Sequence, residues 1–276
     1  MKRVILICLM LMSLCSCTSI QGYLKARKEQ QHKEHFQLYL LAGQSNMAGR
    51  GKITSYDTLT STKVKVLGKD SLWYVAKHPL HYDKPRFTGV GPGLSFALKI
   101  VEYHNEDSIG LVPAAVGGTS IKDWQKNKVY ENLNVKPYND ALERAKKAIA
   151  SGSFKGVVWH QGENDCKDPA FLKAYPRYFY RFLDSLKADL KVEQLPVVIG
   201  ELGHFFYQKR PLAKTLNDTL RRLAERDPCI AIAASDSLVD KGDKVHFNSE
   251  SYRILGERYA KTMYILQQTC PVKHRQ

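Results

Sequence analysis

From Phe36 onward, short runs of apolar and β-branched residues alternate with longer amphipathic stretches, and this alternation limits the folds open to the chain. The strand-like runs are FQLYLLA (Phe36 to Ala42), SIGLVPAA (Ser108 to Ala115), FKGVVWH (Phe154 to His160), LPVVIGEL (Leu195 to Leu202) and CIAIAAS (Cys229 to Ser235). Between them NDALERAKKAIASG opens at a capping Asn139 or Asp140, sets Ala141, Leu142, Ala145, Ala148 and Ile149 on one face and stops at Gly152. Further helices are predicted over Tyr175 to Leu190, Pro211 to Arg226 and Ser249 to Gln267, and an earlier one begins within GPGLSFALKIVEYHNE. Strand and helix in alternation imply right-handed crossovers and a parallel sheet covered on both faces, an α/β fold. Between Gly49 and Gly91 the pattern lapses into polar, proline-containing chain, which predicts a long loop forming a wall or lid. Its aromatic residues, Tyr56 among them, are expected mostly to pin the loop and in part to meet a sugar.

At 276 residues the chain fits one domain. Its start, MKRVILICLMLMSLCSC, has two early cations and an apolar core too short to span a bilayer, as a secretory signal has. The small residues before Cys17 resemble a bacterial lipoprotein signal, with ordinary cleavage as the alternative. The expected division is a signal at 1–16, an acylated Cys17 opening a tether over 17–35, the folded domain at 36–270 and a tail at 271–276. That places the protein in the bacterial cell envelope, touching membrane only through its lipid. The formal charge of +15 arises from 42 basic and 27 acidic residues interleaved along the chain, a solvated surface with no nucleic-acid partner implied. Of six cysteines, Cys166, Cys229 and Cys270 follow the signal. Export permits one disulfide, with Cys229 and Cys270 the pair to test, and buried free thiols are the alternative.

Residues just after a strand are where open α/β sheets bind ligands. Ser45 lies there, in LAGQSNMAGRG, where Gly43 permits a sharp strand-to-helix turn that exposes the hydroxyl. The stretch does not match G-x-S-x-G, because Met47 stands at the second glycine. A serine hydroxyl attacks an ester only if a base takes its proton. VDKGDKVHFNSES supplies His246, with Asp243 three residues earlier to orient it and Asp240 or Asp236 as fallback acids. Oxyanion donors are available from Gly117 and Gly118 in VPAAVGGTSIKDW and from the amides of Gln161 and Asn164 in WHQGENDC. Each stretch alone is an ordinary turn or cap. His160 and Glu163 do not form a metal pair, since there is no H-E-x-x-H and no third ligand nearby.

Taken together, GQSNMAGRG, GPGLSFA, VPAAVGGTSIKDW, WHQGEND and DKVHF resemble the SGNH hydrolase superfamily, and more narrowly carbohydrate esterase family six and the sialic-acid-specific acetylesterase domain. The resemblance implies a flavodoxin-like three-layer α/β/α sandwich with a central parallel sheet, and removal of acetyl groups from carbohydrate without metal or organic cofactor. It implies Ser45 as nucleophile, His246 as base then acid, Asp243 as orienter, and an oxyanion hole from the Ser45 and Gly118 N–H groups with an amide of Gln161 or Asn164, Gln161 preferred. Substrate contacts are expected from Gln44, Asn46, Arg50 and Gly117, and from Thr119, Trp124 and Glu163, the last as a loop-orienting group pairing with Arg50 or capping backbone N–H groups. Met47 and Val116 are expected along a shallow acyl pocket. The substrate is an acetylated glycan of the sialic acid or xylan type. A lipid-anchored glycan-binding protein and an esterase for other short acyl groups remain the alternatives.

Overall fold

The computed structural model describes residues 23–274 except 29, 32, 59 and 106. The signal expected at 1–16 and the acylation expected at Cys17 fall outside the described residues. The chain enters the sheet at β1 (Phe36–Gly43), whose eight residues are all buried. Alternate side chains of β1 serve opposite faces: Leu38, Leu40 and Ala42 join one core, Tyr39 and Leu41 the other. A strand apolar on both faces has no place at an edge, and β1 occupies the centre of the sheet.

The remaining elements follow in order: α1 (Ser45–Ala48), β2 (Val64–Leu67), β3 (Trp73–Val75), α2 (Gly93–Tyr103), β4 (Ser108–Pro113), α3 (Pro137–Ile149), β5 (Ser153–His160), α4 (Pro169–Leu190), β6 (Val192–Gln194), β7 (Val197–Gly200), α5 (Leu212–Arg226), β8 (Ile230–Ala233), α6 (Ser249–Thr269) and β9 (Lys273–His274). The main sheet has the order β3-β2-β4-β1-β5-β7-β8. Every pairing is parallel except β2 with β3. Helices α3, α4 and α5 supply the core on one face through residues such as Ala145, Phe179 and Leu220. On the other face α2 and α6 contribute Phe96, Ile100, Tyr252 and Tyr259. This is the three-layer α/β/α arrangement expected of the sequence. Strands β2, β3 and β4 lie to one side of β1, and β5, β7 and β8 to the other, so the order reverses at β1 and a crevice opens at its carboxyl end.

Two differences from the sequence reading have physical reasons. The Gly49–Gly91 stretch is not one loop but carries β2 and β3, strands of four and three residues with only Val64 and Leu67 buried, too short to show a period. Helix α4 begins at Pro169 rather than Tyr175, because the Asp168 carboxylate caps the Ala170 N–H and Pro169 takes the first helical position, where no N–H is needed. Past Cys270, Lys273 and His274 pair with β6.

Cys229 and Cys270 are joined in a disulfide, 41 residues apart, while Cys166 is free and buried. The bridge ties the start of β8 to the end of α6. Closing a loop of that length removes about 4 kcal/mol of unfolded-state entropy in the chain-entropy model. The paired substitution C229A/C270A is therefore expected to lower unfolding stability by about 2 to 4 kcal/mol in a urea titration, with the dithiothreitol-treated wild type falling to the same value.

Candidate active site

Gly43 closes β1 with φ +133°, and a Cβ there would lie 2.1 Å from the His160 carbonyl oxygen on β5. Only glycine fits. The next N–H, that of Gln44, donates to the same carbonyl at 2.8 Å, and the chain turns at once into α1 with Ser45 as its first residue. Ser45 stands at the carboxyl edge of the sheet, 8% exposed. No acceptor among the described residues takes its N–H, as expected at the start of a helix.

The second component is the loop before α6. Asp243 folds it by accepting the N–H groups of Val245 and His246 on Oδ1, while Oδ2 accepts from His246 Nδ1 at 2.7 Å. With Nδ1 protonated toward the carboxylate, Nε2 is left to accept the proton of Ser45 Oγ, 3.0 Å away. Asp236 and Asp240 stand apart from the imidazole: Asp240 accepts the N–H groups of Gly242 and Lys244, and Asp236 lies 3.6 Å from Arg258. Burial pushes the Asp243 carboxyl up, but the bonds from the His246 ring and from the two N–H groups outweigh it and hold the group at about 2. Burial lowers the His246 imidazole below its ordinary value, and Asp243 opposes that only in part. At neutral pH the Asp243 carboxyl is therefore ionised and the His246 imidazole free of its proton.

The third component is the turn after β4. Gly118, at φ +89°, presents an N–H that no described acceptor takes. The Gly117 N–H is occupied by Asp83 Oδ2 at 2.7 Å. Asn164, half-buried, spends one amide hydrogen on the Gly118 carbonyl at 2.9 Å and keeps the other. Gln161, preferred over Asn164 from sequence, is enclosed, and its Nε2 faces Gln44 Oε1, the Thr119 carbonyl and Asp165 Oδ2. Its amide has no hydrogen left for a substrate.

Most of the expected substrate contacts prove to be framework. Gln44 accepts from Gln161 and from the Gly162 N–H. Thr119 and Trp124 are fully buried and bonded to each other, Trp124 packed against Trp159 and Phe182. Glu163 does not pair with Arg50; it accepts from Asn46 Nδ2, and burial raises it to about 7. Asn46 and Met47, both residues of α1, are buried, and Val116 lines a neighbouring cavity rather than the cleft. Tyr56 lies elsewhere, under the Arg253 guanidinium. Arg50 does reach the cleft, held by Asp83 Oδ2 at 2.9 Å and the Gly49 carbonyl.

The cleft around Ser45 and His246 encloses about 360 Å³ and is lined also by Arg50, Lys84, Phe87, Gly117, Gly118, Lys241 and Asp243. Asp83, Lys84, Phe87 and Lys241 were not read from the sequence. Their signal was positional, three of them lying in the polar stretch between Gly49 and Gly91. Among the described residues no group of three or more His, Cys, Asp or Glu side chains converges as metal ligands do.

The family described as "Carbohydrate esterase, sialic acid-specific acetylesterase" matches residues 35–265. A probable carbohydrate esterase from Arabidopsis thaliana is 34% identical over 181 residues, 59% of this chain and 67% of the relative. The crystal structure of an Arabidopsis thaliana protein superposes with a TM-score of 0.74 at 27% identity, covering 83% of this chain and 98% of that one. NanS superposes at 0.66 and 17% identity over 86% of this chain and 98% of its own, a likeness of fold. A family match spanning most of the domain, from before β1 into α6, means that the chain belongs to the sialic acid-specific acetylesterase family of carbohydrate esterases.

Proposed function

We propose that this carbohydrate esterase removes O-acetyl groups from an acidic sugar through a covalent acetyl-enzyme on Ser45. The observation that carries the reading is the continuous chain from Asp243 Oδ2 through His246 to Ser45 Oγ, with hydrogen bonds of 2.7 and 3.0 Å. His246 Nε2 takes the hydroxyl proton as Oγ attacks the acetyl carbonyl, and Asp243 stabilises the imidazolium formed. The tetrahedral oxyanion is received by the N–H groups of Ser45 and Gly118 and by the free hydrogen of Asn164 Nδ2, each donor of this kind being worth about 3 kcal/mol in the barrier. The imidazolium then protonates the departing sugar oxygen as the C–O bond breaks. A water activated by His246 attacks the acetyl-enzyme, releasing acetate and restoring the serine.

The cleft supports an anionic acetylated sugar over a neutral one. Arg50, Lys84 and Lys241 face it, against the carboxylates of Asp83 and Asp243. Arg50 is matched by Asp83, so Lys84, half-buried on the rim, is the cation placed to meet a sugar carboxylate. An exported, Cys17-anchored protein of the cell envelope fits the same reading, and the Cys229–Cys270 disulfide is of the kind that persists in oxidising compartments.

Ser45→Ala is expected to lower kcat/KM for acetate release from O-acetylated sialic acid by about 10⁴-fold or more, with the circular dichroism spectrum unchanged; activity within tenfold of wild type would remove Ser45 from the mechanism. Because burial lowers the His246 pKa, the neutral base persists below the ordinary imidazole value of about 6.5, so log kcat/KM should be flat at neutral pH and fall with unit slope only below that value. Lys84→Ala should raise KM about tenfold for O-acetylated sialic acid and leave acetylated xylan and 4-nitrophenyl acetate unaffected; equal losses on all three would remove the carboxylate contact.

A further inference from the structure

We infer that Asn46 is the positioning residue that holds the His246 loop against the turn carrying Ser45, with Glu163 fixing which way its amide faces. This inference rests on the Ser45–His246 reading above. Asn46 follows the nucleophile directly, is 1% exposed and has no route to substrate. Its side chain uses its full hydrogen-bonding capacity. Nδ2 donates to Glu163 Oε1 and to the Val245 carbonyl at 3.0 Å, and Oδ1 accepts the Tyr252 hydroxyl at 2.7 Å and the Phe247 N–H at 3.4 Å.

Two of these four partners are the backbone groups on either side of His246. A single short side chain therefore joins the peptide before the base and the peptide after it to the helix that begins with the nucleophile. The rest of the bonding in residues 241–247 is mostly internal: Asp243 takes the N–H groups of Val245 and His246, Asp240 those of Gly242 and Lys244, and Lys241 bonds back to His246. Apart from the Ser45–His246 contact itself and an exposed Lys209 bond at 3.4 Å, Asn46 makes the hydrogen bonds that tie this segment to the body of the domain among the described residues.

Glu163 supplies the direction. A carboxylate oxygen accepts, so the NH₂ end of Asn46 must face it, and the carbonyl end is then turned to Tyr252 and Phe247. Reversing the amide would bring Oδ1 against both Glu163 Oε1 and the Val245 carbonyl and leave the Phe247 N–H without an acceptor. Positioning matters here because a base displaced by about 1 Å from its nucleophile costs about 10²-fold in rate.

The test uses 4-nitrophenyl acetate with stopped-flow acylation and active-site titration. In Asn46→Ala the fraction of titratable sites should stay at the wild-type value while the acylation rate and kcat fall about 10²-fold and KM moves less than about threefold. Asn46→Asp, which keeps the shape but loses both donors, should show the same loss and serves if the alanine variant does not fold. Glu163→Gln retains the accepting oxygen and should remain within about threefold of wild type, whereas Glu163→Ala should not. In a His246→Ala background Asn46→Ala should cost less than about twofold, since there is no longer a base to place. A reduced titratable fraction acylating at the wild-type rate, or a full additive loss in the His246→Ala background, would overturn the inference and leave Asn46 a purely structural residue. Ser45→Ala, run alongside, separates the two levels: if it retains hydrolysis, the nucleophile assignment fails and this inference with it; if it is inactive while Asn46→Ala is normal, only the positioning role fails.

Discussion

At the carboxyl end of β1 two strands come so close that a single carbon cannot be added between them. The ideal Cβ of Gly43 would sit 2.1 Å from the His160 carbonyl oxygen, and the adjacent Gln44 N–H closes a bond of 2.8 Å to that oxygen. This contact decides where β1 stops, where α1 starts and therefore where the Ser45 hydroxyl stands. It also fixes the residue after His160 directly beneath the turn. Gln161 is placed there to bond the nucleophile turn through Gln44, the Gly118 turn through the Thr119 carbonyl, and Asp165 on its own loop. Three loops that arrive from separate strands are thus registered on one buried amide.

Such a hub has an electrostatic cost. Desolvation raises Asp165 to about 6 and Glu163 to about 7, and His160, buried completely, is pushed down to about 3. Asp165 is compensated by Gln161 and by the Ile121 N–H, which both of its oxygens accept. Glu163 is compensated by Asn46. Asp243, at the rim and three times bonded, instead has a depressed pKa. The same residue type is thus a framework group under the sheet edge and an ionised orienter at the surface, and burial with partner count separates the two.

Much of this was legible in the sequence, and the failures share a cause. Five of the seven strands of the main sheet were readable as short apolar runs, and the Ser45, Asp243 and His246 positions because the serine follows a strand and Asp-x-x-His fits one tight loop. Strands β2 and β3 were not, since four and three residues carry no usable period. Gln161 was read as an oxyanion donor and Trp124 as a substrate contact because polarity and aromaticity near a motif suggest function, yet both are 0% exposed. Burial of a polar side chain is set by what folds over it from elsewhere in the chain, here the Gly118 turn and α1. The Arg50–Asp83 pair was hidden for the same reason, its members lying 33 positions apart.

The disulfide between Cys229 and Cys270 encloses β8, the Asp243–His246 loop and α6 in one covalent ring, whereas Ser45 and Gly118 stand outside it on segments anchored to the central strands. Asp243 and His246 therefore belong to one covalent ring of which Ser45 is not part. Were the Asp243–His246 part of that ring drawn away from Ser45, both would leave at once and the serine would keep an ordinary, unreactive hydroxyl. The failure mode built into this topology is silence rather than misdirected chemistry.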